Sequence, residues 1–180
     1  MIPIHKLTGR LGNQMFQFAF MYSYAKKYDN DYYFQDAEWF RDVDLDIKSI
    51  YSQNIVPIDQ VAIHVRRGDY VGNPFYVQLW KTNYYERAME LFPQEKFLVF
   101  SDDIEWCKAH FIGKQFEFSE GNDEVTDLNL MAGCKGVIMA NSSFSWWGAY
   151  LSKGKVIAPK EWYTDGNKTR TVCPEQWVQI

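Results

Sequence analysis

The sequence predicts an α/β fold in which a parallel sheet carries helices on both faces. From Val61 onward, short apolar runs of strand length alternate with segments of helical periodicity. This alternation is typical of chains that build parallel sheets from strand–helix–strand units. Neither an internal repeat nor a low-complexity linker interrupts it. With 180 residues, of which 47% are hydrophobic, the chain can bury a substantial core.

The first elements predicted are a short strand at Ile2–Leu7, a turn and a helix. Gly9 and Gly12 mark the turn, since glycine tolerates the backbone conformations that tight turns require. Apolar side chains at three- and four-residue intervals then predict a helix that continues to Tyr28. The next segment mixes aromatic and acidic residues, and its alternation at Asp42–Asp46 favours a solvated face.

Further strands and helices are predicted after residue 60 from their apolar periodicity. The strands span Val61–Arg66, Phe97–Phe100, Gly136–Ala140 and Lys155–Ala158. The helices follow Asn83, span Ile104–His110, run from Asn122 or Asp123 to near Gly133, and span Ser145–Leu151. Asn83 and Glu86 have the spacing of a capping box, in which two side chains satisfy backbone amides of the first turn.

The strand at Val61–Arg66 ends in an unusual basic block. His64 and Arg66 are two residues apart, so they share one face of the strand. A guanidinium at this position can bind a phosphate through two parallel hydrogen bonds. The alternative is that Arg66 and Arg67 hold local carboxylates, including Asp69, in a structural salt bridge. The residues alone leave these two interpretations open.

A second polar block, Asn141–Trp147, separates a buried strand from a helix. Ser142, Ser143 and Ser145 are candidates to cradle a phosphate, because helix N-termini expose free amides to an anion. The alternative is a plain helix cap, the commonest task of serine at this position. The tryptophans of the block favour the core over a sugar-stacking platform.

Two weaker signals come from other junctions. Asp102 and Asp103 follow a strand, where their oxygens could bind a ribose or the donor edge of guanine. They make a poor clamp for a cation, since adjacent side chains on a strand point to opposite faces. Asn13 and Gln14 lie at the start of a predicted helix after a tight turn, and this position alone is only a weak indication of a binding site.

Composition excludes several classes of function. A net charge of −4 argues against nucleic acid as a partner. Three cysteines without CxxC spacing argue against a disulfide framework or a zinc site, and for a reducing compartment. The start of the chain has no signal-peptide pattern, and no apolar run approaches the ~20 residues that span a bilayer. These observations predict a cytoplasmic protein.

Four blocks taken together resemble a known family. They are Gly9–Gln14, His64–Tyr70, Phe100–Asp103 and Asn141–Trp147. In this order they resemble the α-1,2-fucosyltransferases of glycosyltransferase family eleven, bacterial type. The resemblance covers residues 5–28 and almost the whole chain from Val61.

The resemblance implies an architecture and a reaction. It implies the GT-B fold, with two facing Rossmann-like domains that each contain a parallel sheet, and neither a bound metal nor a cofactor. The implied reaction transfers L-fucose from GDP-fucose to a hydroxyl, O2 of a galactoside, with inversion at the anomeric carbon. The implied partners are GDP-fucose and a galactose-containing glycan acceptor, and a peripheral association with membrane-linked glycan stays open.

The resemblance also implies roles for individual residues. Arg66 holds the diphosphate and stabilises the leaving GDP, His64 supports it, and the acceptor base is left open between Asp69 and His64. The residues implied to bind substrate are Gly12, Asn13, Gln14, Arg67, Asp102, Asn141, Ser142, Ser143 and Phe144. Among them, Ser142, Ser143 and Phe144 line the phosphate and fucose pocket, and Asp102 lies near the nucleoside.

The chain departs from the family before the arginine block. Residues 61–180 correspond to the GDP-fucose-binding domain, whereas residues 1–60 correspond to an acceptor-side domain that is incomplete, since a full domain usually has ~100 residues or more. An alternative function is therefore a truncated, inactive module that binds a nucleotide sugar or a glycan. A third is a related inverting fucosyltransferase with another acceptor or linkage.

Overall fold

The computed structural model describes residues 9–28, 48–49, 51–52, 55–165 and 173–180. Within them, α-helices flank a six-stranded parallel sheet. The strands are β1 Ile58–Val65, β2 Phe97–Ser101, β3 Phe116–Phe118, β4 Cys134–Ile138, β5 Lys155–Ala158 and β6 Val178–Gln179. The helices are α1 Leu11–Tyr28, α2 Tyr84–Glu90, α3 Ile104–His110, α4 Glu124–Gly133 and α5 Ser143–Leu151. Two 3-10 turns span Gly68–Tyr70 and Leu79–Lys81.

The predicted α/β class and parallel sheet are confirmed. Each strand and helix predicted after residue 60 is present, with ends that shift by a few residues. The short strands β3 and β6 were not predicted. Gly12 lies inside α1 rather than in the turn before it. The strand expected at Ile2–Leu7 and the solvated face expected at Asp42–Asp46 lie outside the described residues.

The strands follow the order β3-β2-β1-β4-β5-β6. The first strand of the sheet, β1, lies near its centre. The next strands run outward to β3 at one edge, and β4 to β6 then extend the sheet from β1 to the other edge. This is the strand order of doubly wound nucleotide-binding folds. The sheet therefore has a topological switch point between β1 and β4, which pair directly.

Helices cover both faces of the sheet, which explains why the central strands are almost uniformly apolar. On one face α2 and α3 pack against Val61, Ile63 and Val65 of β1. On the other face α1, α4 and α5 pack against a second core that includes Ala62. The alternation of faces predicted for β1 is thus confirmed.

Helix α1 belongs to this second core. The ring of Phe16 lies 4.6 Å from that of Trp146 and 4.9 Å from that of Trp147. Both tryptophans are 0% exposed, so their predicted place in the core is confirmed. No helix that the described residues form is long and apolar enough to cross a membrane.

The capping box predicted at Asn83 is wrong. Asn83 has φ −88° and ψ 22° and makes no side-chain cap hydrogen bond, whereas a side chain that caps a helix usually stands on extended backbone. The amide of Tyr84 instead donates to Oγ1 of Thr82 at 3.2 Å. Asp103 and Asp123 do cap α3 and α4, each accepting from a backbone amide.

Candidate functional site

The candidate site lies at the carboxyl edge of the sheet, outside the ends of β1, β2 and β4. In doubly wound folds the ligand crevice opens at this edge, beside the switch point. The segments that leave these three strands carry the polar blocks singled out in the sequence. They are Arg66–Tyr70, Asp102–Asp103 and Asn141–Phe144. The fold therefore brings together side chains that are far apart along the chain.

Arg66 lies at the centre of this edge between two carboxylates. Its Nη1 is 2.7 Å from Oδ2 of Asp102, and its Nη2 donates to Oδ1 of Asp69 at 2.5 Å. The arginine side chain is 11% exposed, against 64% for Asp69. The salt bridge to Asp69 was one of the two interpretations left open. A guanidinium has five N–H donors, so these ion pairs leave donors for a phosphate.

Gly68 leaves room for the carboxylate of Asp102 beside the backbone. A Cβ on Gly68 would collide with the carboxylate of Asp102. The same carboxylate accepts a hydrogen bond from the amide of Arg67 at 2.9 Å. Asp102 is therefore tied both to the side chain of Arg66 and to the backbone that follows β1.

The side chain of Arg67 pairs with a different carboxylate. Its Nε donates to Oδ2 of Asp103 at 2.9 Å. The guanidinium carbon lies 4.1 Å from the ring centre of Trp106 and 4.9 Å from that of Trp80. The hydrogen bond from Arg67 lowers the pKa of the Asp103 carboxyl. This cation–π contact and ion pair join the end of β1 to the start of α3.

His64 is buried beneath the site. It is 4% exposed, and its ring centre lies 5.4 Å from that of Phe144. Its Nδ1 has no hydrogen-bond partner among the described residues. Burial, and secondarily the charge of Arg66, lowers its pKa to about 3. The imidazole is consequently neutral at pH 7.

Asn141 joins three loops at the carboxyl edge. It is 1% exposed, and its Nδ2 donates to the carbonyls of Val77 at 3.0 Å and Trp162 at 2.8 Å. Its own carbonyl accepts from Oη of Tyr70 at 3.0 Å. The amide group therefore holds the loops that follow β1 and β5 against the end of β4.

The serines of the third block differ in what their hydroxyls contact. Oγ of Ser142 accepts from the amide of Phe144 at 3.3 Å and caps α5. Ser145 is 0% exposed, and its Oγ donates to the carbonyls of Ala140 and Ser142 at 3.0 and 3.3 Å. The prediction that Ser145 cradles a phosphate is wrong, because its hydroxyl is enclosed in the core. Ser143, the first residue of α5, is half-buried.

The start of α1 meets the start of α5. A Cβ on Gly12 would lie 2.6 Å from the amide nitrogen of Phe144, and Nε1 of Trp147 donates to the carbonyl of Gly12 at 3.0 Å. Two helix N-termini thus converge, and each carries the positive end of a helix dipole. Nε2 of Gln14 donates to the carbonyl of Gly9 at 2.7 Å, which closes the turn before α1. Asn13 is half-buried beside this turn.

One cation at the site was not singled out from the sequence. Nη1 of Arg10 lies 3.8 Å from Oδ2 of Asp102, and its side chain is 60% exposed. Arg10 precedes α1, so it brings a second guanidinium to the carboxylate that holds Arg66. The signal in the sequence was a basic residue between the two glycines of the first block.

Comparisons with known proteins bear on most of the chain. A model of glycosyl transferase family 11 matches residues 20–180. An alpha-1,2-colitosyltransferase from Escherichia coli is 40% identical over 154 residues, which cover 77% of this chain and 53% of that protein. No solved structure gives a significant match.

Two further relatives are also named as enzymes that transfer sugars. The O-antigen biosynthesis glycosyltransferase WbnK from Escherichia coli is 32% identical over 133 residues, covering 66% of this chain and 44% of that protein. Human galactoside alpha-(1,2)-fucosyltransferase 1 is 33% identical over 111 residues, covering 54% of this chain and 30% of that protein. The chain spans about half the length of these relatives, or less.

Proposed function

Because this chain belongs to glycosyl transferase family 11, we propose that it transfers L-fucose from GDP-fucose to O2 of a galactoside, with inversion at the anomeric carbon. The observation that carries the proposal is that the N-termini of α1 and α5 meet at the carboxyl edge of the sheet, where Asp102 pairs with both Arg10 before α1 and Arg66 after β1. Guanidinium groups and helix N-termini are the protein groups best suited to a diphosphate.

The proposed donor lies along the carboxyl edge. Asp102 accepts hydrogen bonds from the nucleoside, and Arg66 binds the diphosphate. Ser142, Ser143 and Phe144 line the phosphate and the sugar at the start of α5. The packing of Gly12 on this helix start supports a further contribution from α1, with Asn13 and Gln14 beside the donor.

The chemistry assigned to Arg66 is stabilisation of the leaving group. The bond between the anomeric carbon and the diphosphate oxygen breaks as negative charge develops on GDP. A cation held in place before the reaction stabilises this charge without reorganisation. Asp102 keeps the guanidinium in position at 2.7 Å. In this proposal the reaction needs no metal ion.

Of the two candidates for the acceptor base, Asp69 is favoured. His64 is 4% exposed, and burial lowers its pKa to about 3, so it has little capacity to take a proton at neutral pH. The carboxylate of Asp69 is 64% exposed and lies beside Arg66. Asp69 therefore accepts the proton of the attacking hydroxyl, while His64 supports Arg66 as a neutral group.

The proposed architecture is the GT-B arrangement. Residues 61–180 form the donor-binding domain, and residues 1–60 belong to the domain that faces it. The doubly wound strand order supports the first assignment.

A second donor has support from the relatives. The chain is 40% identical to an alpha-1,2-colitosyltransferase. Colitose differs from L-fucose by the absence of the 3-hydroxyl, so a pocket that hydrogen-bonds this hydroxyl discriminates between the two donors. GDP-colitose is therefore the competing donor in any assay.

The test is GDP release by the full chain in the presence of a chelator. Each donor is supplied with and without a galactose-terminated disaccharide. We expect release from GDP-fucose that depends on the acceptor. Measurable GDP binding without release would favour the inactive nucleotide-sugar-binding module instead. Faster release from GDP-colitose would reassign the donor.

A further inference from the structure

Four aromatic side chains form a continuous group beside Arg66, which we call the aromatic platform: Tyr70, Phe75, Tyr76 and Tyr163. The rings of Tyr70 and Tyr76 stack with centres 3.8 Å apart and planes within 4°. The ring of Phe75 lies 5.1 Å from that of Tyr76 and 4.8 Å from that of Tyr163.

Hydrogen bonds to backbone groups hold the platform in one arrangement. Tyr76 and Tyr163 form an antiparallel bridge. The amide of Thr164 donates to the carbonyl of Phe75 at 3.0 Å. Oη of Tyr70 donates to the carbonyl of Asn141, which anchors the platform to the end of β4. A surface held this way binds a ligand with little loss of conformational entropy.

Phe75 is the exposed member of the platform. Its side chain is 43% exposed, whereas Tyr70 is 8% exposed, and Val71, which follows Tyr70 in the chain, is 54% exposed. Burial of Phe75 is therefore incomplete, although its neighbours are aromatic. The exposed carboxylate of Asp69 adjoins this surface, because it directly precedes Tyr70 in the same 3-10 turn.

The order of groups along the carboxyl edge indicates what this surface binds. Asp102 follows β2, Arg66 follows β1, and Asn141 with Ser142 follows β4. The platform joins the loop after β1 to the loop after β5, on the opposite side of Arg66 from Asp102.

We propose that the aromatic platform is the acceptor subsite, on which a neutral galactopyranose ring stacks against Phe75. This inference rests on the proposed function, which supplies the donor at Asp102 and Arg66. The nucleoside, diphosphate, transferred sugar and acceptor then follow one another from β2 to β5. Asp69 stands between the diphosphate and the platform, where the attacking hydroxyl of the acceptor arrives.

The chemistry of the surface fits a sugar. The C–H groups of one pyranose face are weakly positive and apolar, and they complement the negative face of an aromatic ring. Sites for small polar molecules combine aromatic walls with a few placed polar groups, and Asp69 is such a group here. The guanidinium carbon of Arg66 lies 5.5 Å from the ring of Tyr70, so a sugar on the platform stays close to the diphosphate.

The test compares Phe75→Ala with Phe75→Trp in the full chain. Ile112→Ala is the matched control, because Ile112 is 77% exposed and precedes β3 at the opposite edge of the sheet. We expect Phe75→Ala to raise the KM for lactose about five- to tenfold, the effect of one lost aromatic contact. The KM for the donor stays unchanged, and Phe75→Trp restores acceptor binding.

Direct binding separates this inference from the proposed function. Saturation-transfer NMR measures contact between lactose and each variant without turnover. If the chain transfers no sugar but binds lactose through Phe75, the platform stands and the proposed transfer fails. If transfer occurs and Phe75→Ala leaves the KM for lactose unchanged, the platform is wrong. A dimer of the parent chain that Phe75→Ala dissociates would also overturn it, since a second copy would then cover the surface.

Discussion

Arg66 and Asp102 face each other across the ends of two adjacent strands. Strands β1 and β2 pair in a register that sets their last residues, Val65 and Ser101, opposite each other. Arg66 and Asp102 are the residues that follow these two strand ends. Nη1 of Arg66 lies 2.7 Å from Oδ2 of Asp102. The register of a parallel pair thus brings a cation and a carboxylate together at the switch point of the sheet.

Asp102→Asn tests this pair. Asparagine keeps an oxygen that can accept from the amide of Arg67, but it removes the charge that orients Arg66. We expect GDP affinity to fall about tenfold or more, since a hydrogen bond to a charged group contributes roughly 1.5–3 kcal/mol. Calorimetric titration with GDP measures this effect.

Asp69→Asn is the matched comparison, because Asp69 also pairs with Arg66 but is 64% exposed. It should leave GDP affinity within about fivefold of the parent, since exposed ion pairs contribute about 1 kcal/mol or less, and lower acceptor-dependent turnover. Equal losses of GDP affinity in the two variants would mean that Asp102 has no special role.

The sheet and the location of the site could be predicted from the sequence. Buried strands have uniform apolar runs, and the polar blocks that follow them must meet at the carboxyl edge of a parallel sheet. β3 and β6 could not be predicted, because β3 has three residues and β6 has two, which is too short for an apolar periodicity to be recognised. The absent cap at Asn83 depends on a backbone conformation that its side-chain chemistry does not determine.

The use of each polar side chain could not be predicted. Three serines of one block have the same chemistry but different environments. Ser142 caps a helix, Ser143 is half-buried, and Ser145 is enclosed in the core. Arg66 and Arg67 are adjacent, yet only the second contacts two indoles, which come from different segments of the chain. Such differences depend on tertiary contacts, which local periodicity does not contain.

Arg67→Lys tests the role of the second arginine. Lysine keeps the charge but loses the planar guanidinium that lies near the rings of both Trp80 and Trp106. We expect the free energy of unfolding to fall by about 1–2 kcal/mol, the range for a partly desolvated cation–π contact. Urea denaturation measures it. Arg87→Lys on the exposed side of α2 is the control, and an equal loss in both variants would contradict the stacking role.

Ser143 and Ser145 form a matched pair at the start of α5. Ser145→Ala removes a buried hydroxyl proton that two backbone carbonyls share and should reduce the free energy of unfolding by about 1–2 kcal/mol. Donor affinity should stay unchanged in that variant. Ser143→Ala should weaken donor binding several-fold without a loss of stability. Urea denaturation and the affinity for the donor are measured on both variants. A loss of donor affinity in Ser145→Ala and a loss of stability in Ser143→Ala would transfer the binding role to Ser145.

His64 should make the protein less stable in acid. Its pKa falls from 6.5 in the unfolded chain to about 3 in the folded protein, because burial disfavours the imidazolium. Below pH 6.5 the unfolded chain binds a proton that the folded protein does not, so the stability present above this pH is lost as pH falls. The loss is about 1.4 kcal/mol per pH unit until the folded pKa is reached.

His64→Gln isolates this contribution, since glutamine does not titrate. Any constant cost of the substitution affects all pH values equally, and the other titrating groups are shared. Between neutral pH and about pH 5 the parent should therefore lose roughly 2 kcal/mol more than the variant. Urea denaturation of both proteins across this range measures the difference. Parallel curves would mean that the imidazole is accessible and titrates alike in both states, and His64 would then return as a candidate for the acceptor base.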